Sequence, residues 1–368
     1  MKFLIKPLFI FLITIFLFTV IDFFLGHKVF NFFVTDNKSV IEHQIYHHNL
    51  EKNLNRNQLY RNKFSYKLCT NEFGFKKSCE KQNKQNKIID YAFIGDSFVE
   101  SVGINFEDTF VGKFAKFKSD KEVVNLGVGS YTPKIYYAKI NDLLIKDFKF
   151  KNIILFIDIS DIYNENQYYI KNDKFIYVKR HNAYNYVNTI FKDYSSTYKI
   201  KKILRFYLPL SYFLYANITH KLEFGSEINP TENNPIREIP IASRWTFKNE
   251  YSNLDNYWIK NGIKESLFYM NKIYSLSKNN DFDISVAVYP WPSQILFDED
   301  TGQEQVDIWS KFCEGKCKYF LNYIEDFHKL KKQENSNKIV TQFFLENDVH
   351  FNKRGNQLVF KKLSNVFN

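Results

Sequence analysis

Residues 90–98 read Asp90-Tyr91-Ala92-Phe93-Ile94-Gly95-Asp96-Ser97-Phe98: a short apolar run stops at a glycine, and a serine follows two positions later. A continuous apolar run bounded by a turn residue suits a strand buried on both faces of a parallel sheet. The same pattern recurs on either side of helical stretches. Val123-Val124-Asn125-Leu126 ends at Gly127, and Ile153-Ile154-Leu155-Phe156-Ile157 ends at Asp158. Between them Asp108 is placed to cap a helix through Phe117, and Pro133 opens one running to about Ile145. A helix from about Ile263 to Ser277 leads into the strand Ile284-Ser285-Val286-Ala287-Val288-Tyr289, and a last helix follows Asn352. Strands alternating with helices predict an α/β domain of three layers, with a parallel sheet covered on both faces.

The alternation breaks over about residues 164–255, a tyrosine-rich stretch with prolines at 209, 230, 235 and 240. It reads as an insertion carrying helices around Ile200 to Phe213. Residues 27–87 are polar with scattered aromatics, and read as a stalk or N-terminal extension. The main domain is expected at 88–368.

Leu8 to Leu25, LFIFLITIFLFTVIDFFL, is almost wholly apolar, with only Asp22 charged. Eighteen residues at helical rise cover about 27 Å, close to the thickness of a bilayer core. Lys2 and Lys6 precede the run, which favours a cytoplasmic N-terminus and an extracytoplasmic main domain. A cleavable signal peptide is the rival, but Phe23-Phe24-Leu25-Gly26-His27 lacks a small-x-small site. The expectation is therefore a single-pass anchor over residues 1–26, set in an inner membrane with the domain in the periplasm. Cysteine usage agrees. The local pairs Cys69 with Cys79 and Cys313 with Cys317 suit disulfides in an oxidising compartment, and their spacing does not suit zinc.

The 368 residues carry a formal charge of +11, which admits a nucleic-acid partner on charge alone. The lysines are scattered among Asn, Asp and Glu, without a basic stripe or a nucleic-acid module, so that class is set aside. A solvated lysine-rich surface, or contact with an anionic glycan or membrane, remains. No cofactor is called for.

Chemistry concentrates at strand ends, where doubly wound sheets bind their ligands. A serine becomes a useful nucleophile when a base takes its proton and a third group orients that base. Ser97 lies at a strand-to-helix turn. Asp348-Val349-His350-Phe351-Asn352 can present a carboxylate and an imidazole from one loop. Glycines in Asn125-Leu126-Gly127-Val128-Gly129-Ser130 let backbone N–H groups approach a developing oxyanion.

With those residues in hand, the chain resembles the SGNH (GDSL-type) hydrolase superfamily, which has a flavodoxin-like fold. Its first block matches Gly95-Asp96-Ser97, and its last matches Asp348-Val349-His350-Phe351, with Gly355-Asn356 following. The resemblance implies Ser97 as nucleophile, His350 as base, Asp348 as its orienter, and Gly129 or Ser130 as an oxyanion donor. The third block, normally Gly-x-Asn-Asp, reads Asp158-Ile159-Ser160-Asp161, so Ser160 stands where an oxyanion asparagine is expected. Losing such a donor costs about two to three orders of magnitude in rate. Thr70-Asn71-Glu72-Phe73-Gly74-Phe75 is similar to an Asn-x-x-Gly-Phe element of membrane-anchored members that act beside polysaccharide O-acylation machinery. Alginate acetylation proteins and the D-alanyl transfer protein of teichoic acids are of this kind. The resemblance implies an esterase or O-acyltransferase on acylated cell-envelope glycans, with a membrane-bound O-acyltransferase as partner. A non-catalytic glycan-binding scaffold of the same fold is the alternative.

Asp96, Asp161 and Trp291 are further substrate-side candidates. Tyr289-Pro290-Trp291-Pro292 suits either a sugar-stacking wall or a rigid turn on the core. Asp158 with Asp161 also has the composition of a glycosidase carboxylate pair, although the serine block accounts better for the region. His43, His47 and His48 lack an acidic or cysteine partner at metal-ligand spacing, and no metal site is expected.

Overall fold

The computed structural model describes residues 2–30, 39–61, 63–81, 84–167, 169–171, 178–180, 203–204, 207–212, 214, 239–247, 256–297 and 303–368. The chain divides into two units, Met1–Ser39 with Phe191–Glu232 and Val40–Ile190 with Asn233–Asn368. In the first unit, helix α1 (Lys2–Phe30) contains Phe9–Gly26, long and apolar enough to cross a bilayer at a mean hydropathy of 2.5.

The second unit holds an eight-stranded mixed sheet among the described residues, in the order β12-β11-β8-β6-β7-β5-β4-β3. Strands β6 (Ile88–Ile94), β7 (Val123–Asn125), β8 (Lys149–Ile157), β11 (Asp283–Val288) and β12 (Phe320–Asn322) pair in parallel. Numbered among themselves they lie 2-1-3-4-5, the doubly wound order in which ligands bind between the first and third strands. Those two are β6 and β8, whose carboxyl ends carry Ser97 and Asp158. Helices α3 (Phe110–Phe117), α4 (Pro133–Ile145), Asn256–Asn279 and Lys353–Val366 supply apolar faces to the two cores beside the sheet. Phe93, Phe110, Phe114 and Phe156 are fully buried, each contributing about 1.5–3 kcal/mol by leaving water.

The other three strands correct the expected stalk over 27–87. Beginning at Val40 the chain belongs to the folded unit. After the β1–β2 hairpin (Val40–His43 and His47–Leu50), strands β3 (Asn55–Tyr60), β4 (Phe64–Thr70) and β5 (Lys76–Lys77) extend the sheet antiparallel beyond β7. The sheet is thus mainly parallel, with an antiparallel extension at one edge. Lys76 explains part of the attachment: although fully buried, its ammonium donates to the carbonyls of Glu100, Ser101 and Ile104 at 2.8–2.9 Å. Burial pulls its pKa down to about 8.

Smaller corrections follow from capping and length. Thr109, not Asp108, caps α3 by accepting the Gly112 N–H, and Asp108 lies in a 3-10 turn. The helix expected over 263–277 extends from Asn256 to Asn279. The sequence reading did not place the helices at Gln303–Cys313, Tyr323–Lys331 and Ser336–Phe343, which are short, at 11, 9 and 8 residues. Cys69 is joined to Cys79 and Cys313 to Cys317. The insertion over 164–255 lies largely outside the described residues. Within it, β9 (Tyr169–Lys171) pairs antiparallel with β10 (Val178–Arg180).

Candidate active site

Ser97 begins helix α2 (Ser97–Glu100) directly after β6. The turn is tight, and two glycines permit it. A Cβ on Gly95 would come within 2.4 Å of Val99 Cγ2, and one on Gly127 within 2.8 Å of the Glu100 nitrogen. Asp96 caps α2, its Oδ1 accepting the Phe98 N–H at 2.9 Å. The opposing loop is pinned at both ends. Phe344 bridges Phe351, Leu345 N–H donates to His350 O, and Asn352 caps the last helix through the N–H groups of Arg354 and Gly355.

These two turns meet in a hydrogen-bonded relay. Ser97 Oγ lies 2.7 Å from His350 Nε2, and His350 Nδ1 lies 2.5 Å from Asp348 Oδ1. The same carboxylate oxygen accepts the His350 backbone N–H at 2.8 Å, fixing the loop that carries both residues. With Nδ1–H donated to Asp348, Nε2 is free to accept the Ser97 proton.

Two residues from the end of β3 and the turn after it complete the relay, and sequence reading missed both. Tyr60 donates its hydroxyl to Asp348 Oδ2 at 3.0 Å, and Arg61 Nε reaches the same atom at 2.6 Å. Arg61 also donates to Asn347 O. Nothing in the polar strand Asn-Arg-Asn-Gln-Leu-Tyr points at a histidine loop nearly 290 residues away. Burial pushes the Asp348 carboxyl up, but the His350 charge, its hydrogen bond and Arg61 outweigh that and hold it below the usual value. Burial likewise lowers His350, and the Asp348 charge and hydrogen bond reverse the sign, leaving its pKa above 6.5.

Beneath Ser97 lie three more buried carboxyls. Asp96, Asp158 and Asp161 each offer an oxygen, and these oxygens lie within 4.8 Å of one another. Burial raises all three. Repulsion from Asp158 adds to the rise at Asp96, which reaches about 7, and repulsion from Asp158 and Asp96 does so at Asp161. Asp158 has the richest set of donors: Ser160 N and Oγ and Asp161 N on Oδ1, and Trp291 Nε1 on Oδ2. Charge-assisted donors of this kind favour the ionised form there over its neighbours. Asp161 accepts the Tyr136 hydroxyl at 2.6 Å and Asp96 Oδ1 accepts the Tyr289 hydroxyl at 3.2 Å, while Asp96 Oδ2 lies 3.2 Å from Ser97 Oγ, whose one proton faces His350 in the relay.

This arrangement revises the expected oxyanion donors. The Ser160 hydroxyl and N–H are both held by Asp158 Oδ1, at 2.6 and 2.5 Å. The Gly129 N–H is held by Glu100 Oε2 at 2.8 Å. Ser130 follows in a left-handed conformation, with φ of 65°. Trp291 reaches into the carboxyl cluster through its indole N–H, so its polar end has a partner within the protein.

The three histidines sit on the β1–β2 hairpin. His43 and His47 are paired across the β1–β2 hairpin. Gly129 O can only accept, so His48 Nε2 donates to it at 2.7 Å. His48 therefore braces the loop from behind. Lys139, fully buried, donates to Asn49 Oδ1, Leu126 O and Tyr131 OH, and ties the same hairpin to the sheet.

No protein-family model matches the chain, and no curated protein does. Among solved structures, the acetylxylan esterase of Geobacillus stearothermophilus is 10% identical with a TM-score of 0.41, covering 77% of this chain and 97% of that one. A second acetyl xylan esterase is 12% identical at a TM-score of 0.41, covering 76% and 100%. An α/β hydrolase from the metagenome of Lake Arreo, Spain, is 10% identical at 0.38, covering 76% and 96%.

Proposed function

We propose that this chain is a membrane-anchored, extracytoplasmic serine esterase or O-acyltransferase that acts on acylated cell-envelope glycans through an acyl-Ser97 intermediate. The observation that carries the reading is the continuous relay from Ser97 Oγ through His350 to Asp348. His350 Nε2 takes the Ser97 proton as Oγ attacks the acyl carbonyl, and Asp348 stabilises the imidazolium that forms. Collapse of the tetrahedral adduct expels the sugar hydroxyl, which leaves with the proton from His350. The acyl group then passes from Ser97 to water, giving deacylation, or to a second sugar hydroxyl, giving transfer. Helix α1 and the two disulfides support placing this chemistry outside the cytoplasm. A membrane-bound O-acyltransferase is a fitting partner, because it would supply the acyl group.

Oxyanion stabilisation is the weak point of the site. Ser160 and the Gly129 N–H are engaged by carboxylates. The Ser97 N–H, in the first turn of α2, is a donor of the class that helices leave unspent. A site with fewer donors supports slow turnover, and the same feature favours the second reading, a catalytically weak glycan-binding scaffold.

Full-length protein, treated with a fluorophosphonate probe and p-nitrophenyl acetate beside Ser97→Ala, tests the two readings. Covalent labelling of wild type only, with ester turnover lost in the variant, is the expected result. Absence of both labelling and turnover in wild type sinks the enzyme reading and leaves the scaffold. Transfer is separated from hydrolysis by adding a glycan acceptor and following acylated product against free acid.

A further inference from the structure

Asp22 is the one charged residue in the apolar stretch of α1, and its partners lie outside that helix. The hydroxyls of Thr14 and Thr19 return to carbonyls of their own helix, Ile10 and Phe16. The Asp22 carboxylate is instead 1% exposed and accepts the backbone N–H groups of Leu210 and Ser211, each at 2.9 Å, along with the Ser211 hydroxyl.

Those donors arise from a helical segment broken at a proline. Leu208 N–H bonds Leu204 O and Tyr212 N–H bonds Leu208 O. Pro209 sits between, opening a new helical turn whose first N–H groups have no carbonyl partner within the helix. Asp22 takes them as a capping carboxylate takes a first turn. Contact is close at the same level: Pro209 is buried, and a Cβ on Gly26 would come within 2.3 Å of Pro209 Cγ. Gly26 lies four residues beyond Asp22, one turn along the same face.

Among the segment's described residues, several large apolar side chains face outward. Ile203, Tyr207 and Leu214 are 56%, 60% and 53% exposed and recur at helical spacing on one face. On α1, Phe9, Phe16, Phe18, Ile21 and Phe24 are 55–68% exposed. Two elements clamped together by a carboxylate, both presenting large apolar side chains outward, match a lipid surface. In sequence Lys201 and Lys202 precede Ile203, a residue type that anionic headgroups attract.

We infer that the described residues of this stretch, 203–204, 207–212 and 214, belong to a second membrane-embedded element, seated beside the far end of the anchor and held there by Asp22, with lipid acyl chains covering Ile203, Tyr207 and Leu214. Asp22 lies four residues from the end of the Phe9–Gly26 stretch, about 6 Å along the helix axis, so the element occupies one leaflet and does not cross. The inference rests on the anchor reading of α1.

The test uses full-length protein in vesicles of phosphatidylcholine and phosphatidylglycerol. All four cysteines are paired, so a single introduced cysteine takes an environment-sensitive fluorophore. Leu214→Cys and Leu204→Cys are compared with Phe297→Cys, an exposed site in the other unit. Retention of the protein after a carbonate wash checks the anchor first; loss there fails the anchor and this inference together. With retention established, a blue shift and quenching by doxyl-labelled lipids at 204 and 214, absent at 297, is the expected result. Probes at 204 and 214 that respond like 297 overturn the inference while the anchor stands. Probes shielded from both lipid and aqueous quenchers overturn it in favour of a protein partner. Asp22→Ala should abolish lipid quenching at 214 while the protein still resists the carbonate wash. Unchanged quenching in that variant overturns the clamp.

Discussion

The two halves of the sheet divide the work of the site. The parallel half, β6, β7, β8, β11 and β12, presents Ser97, Asp158 and Ser160 at strand ends, and its strands are apolar runs. The antiparallel half, β3 to β5, is polar and two-sided in sequence, yet it delivers Tyr60 and Arg61 to Asp348 and Lys76 to the end of the nucleophile helix. One half holds the nucleophile and the other holds the charge that keeps its base in place. An accessory region can thus look like a linker by composition and still be part of the site, because what it contributes is position rather than core.

Several substitutions test that division. The largest effect belongs to Asp348→Asn, which leaves the shape but disfavours the tautomer that accepts the Ser97 proton. Ester turnover should fall on the order of 10⁴-fold, measured as kcat with folding checked by circular dichroism. Cys69→Ser with Cys79→Ser opens a loop closed by residues ten apart, and loop entropy predicts a loss of about 2–3 kcal/mol in denaturant unfolding. If the antiparallel half stabilises the site, kcat should fall at temperatures where the global fold survives. Tyr60→Phe removes one hydrogen bond to a buried carboxylate, worth about 1.5–3 kcal/mol, so kcat should drop about ten-fold or more with KM little changed. An unaltered kcat would assign Tyr60 to packing alone.

The smallest effect in rate is at Arg61, whose side chain is about half exposed and so contributes at the low end for an ion pair. Its value lies in the pH profile. His350 must be neutral to accept a proton, so activity falls as pH drops through a His350 pKa held above 6.5. The Arg61 charge opposes protonation of His350. Arg61→Ala should therefore move the acid limb of kcat/KM to higher pH, whereas Asp161→Asn, at a carboxyl pushed toward its neutral form by burial, should leave that limb nearly in place. A limb displaced downward in Arg61→Ala contradicts the sign.

Much of this was legible in the residues themselves. Apolar runs ending at Gly95, Gly127 and Asp158 determined the parallel strands, since a strand buried on both faces has to be apolar throughout. The order of Gly95-Asp96-Ser97 and Asp348-Val349-His350 determined the chemistry to expect, because few arrangements other than a relay use those groups in two separate turns. The eighteen-residue apolar stretch determined a helix able to span a bilayer. Only the tertiary structure decided what surrounds them. That Tyr60 and Arg61 meet Asp348, that Glu100 takes the Gly129 N–H, and that Asp158 takes Ser160 depend on contacts between distant segments. Local pattern records which face of an element is buried. It does not record which polar partner waits there, because a buried polar group needs only some partner, and the packing of the whole chain chooses which one.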